Sequence, residues 1–249
     1  LRIDYADVSL QGGRGENQDR VAVSVSEHAA LLLVVDGMGG YADGGRAAEV
    51  ARQTIIEAFR QAAQPLFDPL GFLHLTLGRA HDAVVKLGAD APIDQRPRAT
   101  CALCLVQQGA SWWAHIGDSR IYHVRGGKLV GRSRDHSHVE GLLREGLITA
   151  EQAQAHPMRN YVECCLGGGP ILPDMALTRR RPLESGDVLL VCSDGLWGPL
   201  KDEELASEFG PPPAPLREKV LELARRAVRR AGSGSDNTSA AALRWLGDK

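Results

Sequence analysis

The sequence predicts an α+β fold, a sandwich of mainly antiparallel sheets with helices packed outside. Three observations carry this. Short apolar runs follow one another with only turns between them, which favours antiparallel neighbours. Two consecutive stretches, 44–64 and 70–87, repeat apolar positions at helical spacing. A third such stretch, 216–230, stands between late strands. The 249 residues, 43% of them hydrophobic, can build one large core, and no linker-like segment divides them, so one domain is expected over 1–249.

In order, residues 3–10 and 21–26 read as strands flanking the polar loop QGGRGENQDR. Leu31 to Val35 is too short for a helix and right for a buried strand, so Asp36 should sit where that strand leaves the core. The two long helices follow, separated by Pro65 and Pro69. Strands return at 99–107, 111–117, 120–125 and 128–132, with Gly126-Gly127 as a hairpin signal. Residues 138–169 read as an insert of short helices, with Thr149 to Gln152 as a capping box. Strands at 174–180 and 187–193, a short helix at 201–209, the helix at 216–230 and a strand at 239–246 complete the chain. Trp112 and Trp113, adjacent in a strand, should face opposite sides.

A net charge of −2 provides no basic field, which argues against nucleic acid and membranes as partners. The apolar runs fall far short of the roughly 20 residues a membrane helix needs, and LRIDYADVSL lacks a signal-peptide pattern, so a soluble, cytoplasmic monomer is expected. The five cysteines are odd in number and lie in apolar contexts, as reduced core residues do. Cys101 and Cys104 form a C-x-x-C, but on a strand they face opposite sides, which speaks against zinc or a redox pair.

The chemistry lies in the acids. Asp36, Asp118 and Asp194 each follow an apolar run, beside a glycine, and Asp236 precedes one. A single Asp-Gly at a strand end is most often a turn. Four carboxylates in such positions, with glycines allowing close backbone approach, point to a shared oxygen-ligand site for Mg²⁺ or Mn²⁺. Two such ions sharing a carboxylate lower the pKa of a water and aim it at phosphorus. Arg14 is the candidate cation for the phosphoryl oxygens, which a guanidinium grips bidentately. Asp19 either holds water near the metals or caps a turn. Other phosphatase chemistries are disfavoured: no cysteine has Arg six positions later, and there is no D-x-D pair and no G-x-x-x-x-G-K-[ST] loop.

RGENQD, VVDGMGG, RATCALCLV, GDSRIYHVRGGKL, DHS, the helical insert, VCSDGLWG and SDNTS occur in an order that resembles the metal-dependent Ser/Thr protein phosphatases of the PP2C (PPM) family, compact bacterial members above all. The resemblance covers nearly the whole chain. It implies a four-layer fold, a central β-sandwich flanked by helix pairs, and hydrolysis of phosphoserine and phosphothreonine at a binuclear Mn²⁺ or Mg²⁺ centre. It implies that Asp36 bridges both ions, that the Gly37 carbonyl binds one, and that Asp194 and Asp236 complete the carboxylates. It further implies that Asp19 acts through waters, that Arg14 holds phosphate, and that Asp118 with Asp194 forms a third, weaker metal site. Residues 138–169 would be a flap beside the cleft, and the substrates phosphoproteins, a Ser/Thr kinase or its targets among them. Met38 stands where animal members carry a histidine proposed as general acid, and Tyr41 where bacterial ones often have histidine, so the general acid stays unassigned. The alternative is a pseudophosphatase that binds phosphoproteins or regulates a kinase, whose signature would be lost metal ligands.

Overall fold

The computed structural model describes residues 1–38, 43–159, 161–212 and 214–247. Arg2–Leu10 (β1), Arg120–Arg125 (β6), Lys128–Arg132 (β7), Val188–Cys192 (β10) and Thr238–Gly247 (β11) form one sheet in the order β1-β11-β10-β6-β7. Asp19–Val25 (β2), Ala29–Gly37 (β3), Arg98–Gln107 (β4), Ala110–Ile116 (β5) and Ala176–Pro182 (β9) form the other in the order β2-β3-β4-β5-β9. A two-residue strand, Leu166–Gly167 (β8), adds to β4. The pairings within both sheets are antiparallel, as the direct succession of strands requires.

Alternation along the strands builds three apolar layers. On one face of β3 and β4, Leu31, Leu33, Leu103 and Leu105 pack against Ile55 and Phe59 of Gly44–Gln61 (α1) and Leu73 and Leu77 of Pro69–Leu87 (α2). On the opposite face, Leu32, Val34, Cys104 and Trp113 meet Leu189, Val191 and Leu243 of the other sheet. The far side of that sheet, with Leu190, Ala240 and Ala242, buries Val220, Leu223 and Ala227 of Leu216–Ala231 (α7). Two short helices, Asp194–Trp197 (α5) and Asp202–Ser207 (α6), pack into the same layer. The order is therefore helix, sheet, sheet, helix. Cys101 faces the helices and Cys104 the sandwich interior, and Trp112 and Trp113 divide in the same way, as strand periodicity requires.

Some details depart from expectation. Asp36 is the penultimate residue of β3 and still paired, opposite Asp19 on one side and Thr100 on the other. The first long helix ends at Gln61; Ala62 is extended, and the Gln64 side chain returns to the Phe59 carbonyl at 2.8 Å. Asp194 opens the one-turn α5, which is too short for sequence periodicity to reveal. The insert holds His138–Arg144 (α3) and Ala150–Gln154 (α4), the second with the Thr149–Gln152 capping box formed, and also β8, which ties it to the sandwich. Among the described residues no helix is long and apolar enough to cross a membrane.

Trp113 is fully buried between the sheets. Trp113→Ala is expected to cost about 3–5 kcal/mol in urea unfolding, as truncation of a core aromatic does; a loss below about 1 kcal/mol would contradict this packing.

Candidate metal centre

The antiparallel registers bring one set of strand ends together. The start of β2, the end of β3, the start of β4 and the end of β5 are neighbours in one sheet. The end of β10 and the starts of β6 and β11 are neighbours in the other. Asp118 lies in the turn from β5 to β6, Asp194 just after β10, and Asp236 just before β11. These positions surround a cleft of about 350 Å³ lined by Arg14, Asp36, Gly37, Met38, Asp118, Asp194 and Asp236, with Thr100 and Asn237 among the other walls. Val162 brings the 138–169 insert to the same cleft. Asp19 lies behind the lining, 3% exposed, and Tyr41 falls outside the described residues.

Glycine makes the close approaches possible. A Cβ on Gly37 would fall 2.2 Å from the Gly44 carbonyl oxygen and 2.8 Å from that of Gln18, so the strand end, the helix start and the Arg14 loop meet at van der Waals limits. Asn237 fastens that loop: its amide donates to the carbonyls of Gln11 (2.8 Å) and Glu16 (2.9 Å), and its oxygen accepts from the Gln18 amide (2.8 Å). Both donors and one of the two acceptor positions of that side chain are thereby used. Arg14 pairs with Asp236 at 2.6 Å, its side chain 57% exposed, so the guanidinium stands in the cleft already facing an acid. Ser193 donates to Asp19 at 2.8 Å across the two sheets, and the other Asp19 oxygen, Oδ1, is buried without a partner.

Burial pushes the Asp36 carboxyl well above the ordinary carboxylate range, and Asp19, Asp194, Asp118 and Asp236 push it further. Burial does the same to Asp194, reinforced by Asp118, Asp236 and Asp19 and opposed by Arg14. Asp118 is pushed up to about 7, by burial first and then by Asp135, with Arg120 opposing. Burial also raises Asp19, outweighing the hydrogen bond it accepts from Ser193. Such a group of acids keeps its charge only against cations.

The donor set is oxygen alone, carboxylates and the Gly37 carbonyl, with no His or Cys in the lining. That suits Mg²⁺ or Mn²⁺ and not zinc. Among the described residues no three His, Cys, Asp or Glu side chains converge tightly enough to hold an ion by themselves. The acids instead ring the cleft. This fits ions that take one or two carboxylates each and fill their remaining positions with water, as Mg²⁺ does. The orphaned Asp19 oxygen is a further acceptor at that boundary.

The model of the family described as Protein phosphatase 2C matches residues 13–229. The chain belongs to the protein phosphatase 2C family. Among relatives in this family, the serine/threonine protein phosphatase PstP of Mycobacterium tuberculosis is 33% identical over 243 residues, 96% of this chain and 44% of that protein. The chain thus spans less than half of that relative's length. Protein phosphatase PhpP of Streptococcus pneumoniae is 33% identical over 232 residues, 92% of this chain and 91% of that one. A crystal structure of the catalytic domain of the serine/threonine protein phosphatase PstP, in complex with two manganese ions, superimposes with a TM-score of 0.81 at 27% identity, covering 98% of this chain and 99% of that one. The four-layer α+β architecture is that of protein phosphatase 2C structures.

The structure gathers Arg14, Asp36, Gly37, Asp118, Asp194 and Asp236 at one cleft and sets Asp19 behind it. Nothing local in the sequence announces the bonds that Asn237 and Ser193 make. Their neighbours in SDNTS and VCSDG drew attention as acids, whereas their own partners lie 219 and 174 residues away.

The raised acids give metal-free protein a signed pH dependence. A carboxyl whose pKa rises on folding keeps a proton that the unfolded chain has released, so stability falls as pH rises. For Asp118 the fall begins near the ordinary value of 3.8 and is complete above about 7. In EDTA, thermal unfolding is expected at lower temperature at pH 8 than at pH 5, and Asp118→Asn should be more stable than wild type at pH 8 and not at pH 4. Equal pH profiles for the two proteins would contradict the shift.

Proposed function

We propose that the chain hydrolyses phosphoserine and phosphothreonine on proteins, using water activated at a binuclear Mn²⁺ or Mg²⁺ centre in the cleft. The observation that supports this best is the meeting of four acids and one arginine, from five separate segments, around a single cavity in a protein phosphatase 2C chain. When bound, two divalent ions supply Lewis acidity to the phosphoryl group and lower the pKa of a water near neutrality.

The chain's own residues do the rest. Asp36, the Gly37 carbonyl, Asp194 and Asp236 would hold the two ions. Asp118 with Asp194 would hold a third, weaker ion. Asp19, anchored by Ser193, orders water behind Asp36. Arg14 holds the non-bridging phosphoryl oxygens; to do so it must share or leave Asp236, its partner here. Met38 lines the cleft and has no proton to give, so the leaving group takes its proton from another source.

Residues 1–249 act as one phosphatase domain, and 138–169 as its flap, which reaches the cleft through Val162. The substrates are phosphorylated proteins, a Ser/Thr kinase or its targets among them, met by a cytoplasmic monomer. A pseudophosphatase would share the fold while lacking part of the acidic ring, whereas Asp36, Asp118, Asp194 and Asp236 all line this cleft.

Phosphopeptide hydrolysis is expected to require Mn²⁺ or Mg²⁺ and to stop with EDTA, and Asp36→Asn and Asp194→Asn should each lower kcat by about 100-fold or more. Arg14→Ala removes charge-assisted hydrogen bonds of about 1.5–3 kcal/mol, which is about a 10- to 100-fold loss in kcat/KM. Hydrolysis untouched by EDTA would sink the metal mechanism; phosphopeptide binding without turnover in Mn²⁺ would favour the pseudophosphatase.

A further inference from the structure

Beside the cleft lies a compact group of charged side chains that the proposed reaction does not use. Arg120, the first residue of β6, follows Asp118 by two positions, and its side chain is only 12% exposed. Its Nε and Nη2 donate to the two oxygens of Asp135 at 2.8 and 2.7 Å. Its Nη1 reaches the Tyr122 hydroxyl at 3.3 Å and Asp202 at 3.5 Å. The guanidinium lies over the ring of Trp197, with Cζ 3.5 Å from the ring centroid. Trp197 in turn donates its Nε1–H to the backbone carbonyl of Asp118 at 3.0 Å. Trp197 is also the last residue of α5, whose first is Asp194.

We infer that Arg120 and Trp197 form a half-buried latch that positions Asp118, and with it the spacing between Asp118 and Asp194, for metal binding. This deepens the phosphatase reading and rests on it. One planar cation joins the two segments: its edge is fixed by Asp135 and its face holds the indole that grips the Asp118 peptide. Lysine, with neither a fork nor a plane, would do only part of this.

The need for such a latch follows from the repulsion within the cleft. Asp118 is buried beside other acids, and the other contacts that hold its turn fall on its neighbours Gly117 and Ser119. His136 clasps Gly117 from behind, with its amide on the Gly117 carbonyl at 2.9 Å and its Nδ1 accepting from the Gly117 amide at 3.3 Å. A Cβ at Gly117, whose φ is +97°, would press on Thr100 Cβ at 2.6 Å, so the turn has no room to retreat towards β4. The indole N–H of Trp197 is what fixes the Asp118 carbonyl itself.

The test is calorimetric titration of Mn²⁺ into metal-free wild type, Trp197→Phe, Asp118→Asn and the double variant, with steady-state kinetics on a phosphopeptide. Trp197→Phe keeps a ring under Arg120 and removes only the N–H. It should stay folded, weaken the weakest class of Mn²⁺ site by about 10-fold, and lower kcat with KM unchanged. In the Asp118→Asn background the same change should have no further effect on Mn²⁺ binding, which separates positioning from general loss of stability. Arg120→Lys should fall between wild type and Trp197→Phe. Wild-type Mn²⁺ affinity in Trp197→Phe, or an equal loss with and without Asp118, would overturn the latch. No Mn²⁺ uptake by the wild type would instead overturn the reading of the cleft, and the latch with it.

Discussion

Mutual repulsion of carboxylates at one end of the sandwich is the constraint around which this structure is built. Asp19 and Asp36 are direct partners in neighbouring strands, and Asp118, Asp194 and Asp236 face the same space. Two unit charges about 4 Å apart repel by about 4 kcal/mol at an effective dielectric of about 20. A whole domain is stable by only about 5–15 kcal/mol. Acids gathered in this way must stay protonated or be neutralised by cations, and burial, reinforced by the neighbouring acids, pushes Asp36 and Asp194 upward accordingly.

The sandwich resists the repulsion by rigidity. The backbone of Asp36 cannot draw back, because it is paired on both sides, with β2 and with β4. Side-chain hydrogen bonds tie the loops to those strand ends. Asn237 joins the Arg14 loop to the Asp236 loop, and Ser193 joins Asp19 to the segment that begins α5. Among the described residues Arg14 adds the one positive charge that reaches the acids from within the lining. The result is a set of oxygen donors held by the fold and waiting on no rearrangement of the sheets, the condition for fast electrostatic catalysis.

Much of this was legible in the chain because local signals coincide with it. The unbroken apolar runs LLLVV and VLLVC announce buried strands, and their abrupt ends announce the positions of Asp36 and Asp194. The helices α1, α2 and α7 are long enough for their period to show. What stayed hidden depends on partners distant in sequence or on elements too short to have a period. The four-residue α5 and the two-residue β8 are of the second kind. The bonds of Asn237 to Gln11, of Ser193 to Asp19 and of Trp197 to Asp118 are of the first, since nothing near those residues tells where their hydrogen bonds go. Strand register decided a further point: that Asp36 is still paired, directly opposite Asp19, follows from how the hairpin closes.

Anomalous diffraction at the manganese edge, from crystals equilibrated with Mn²⁺, tests the central claim most directly. The account predicts two strong peaks within the cleft, sharing Asp36 and flanked by Asp194, Asp236 and the Gly37 carbonyl. Peaks confined to the outer surface, or none at all beside Asp36, would contradict it.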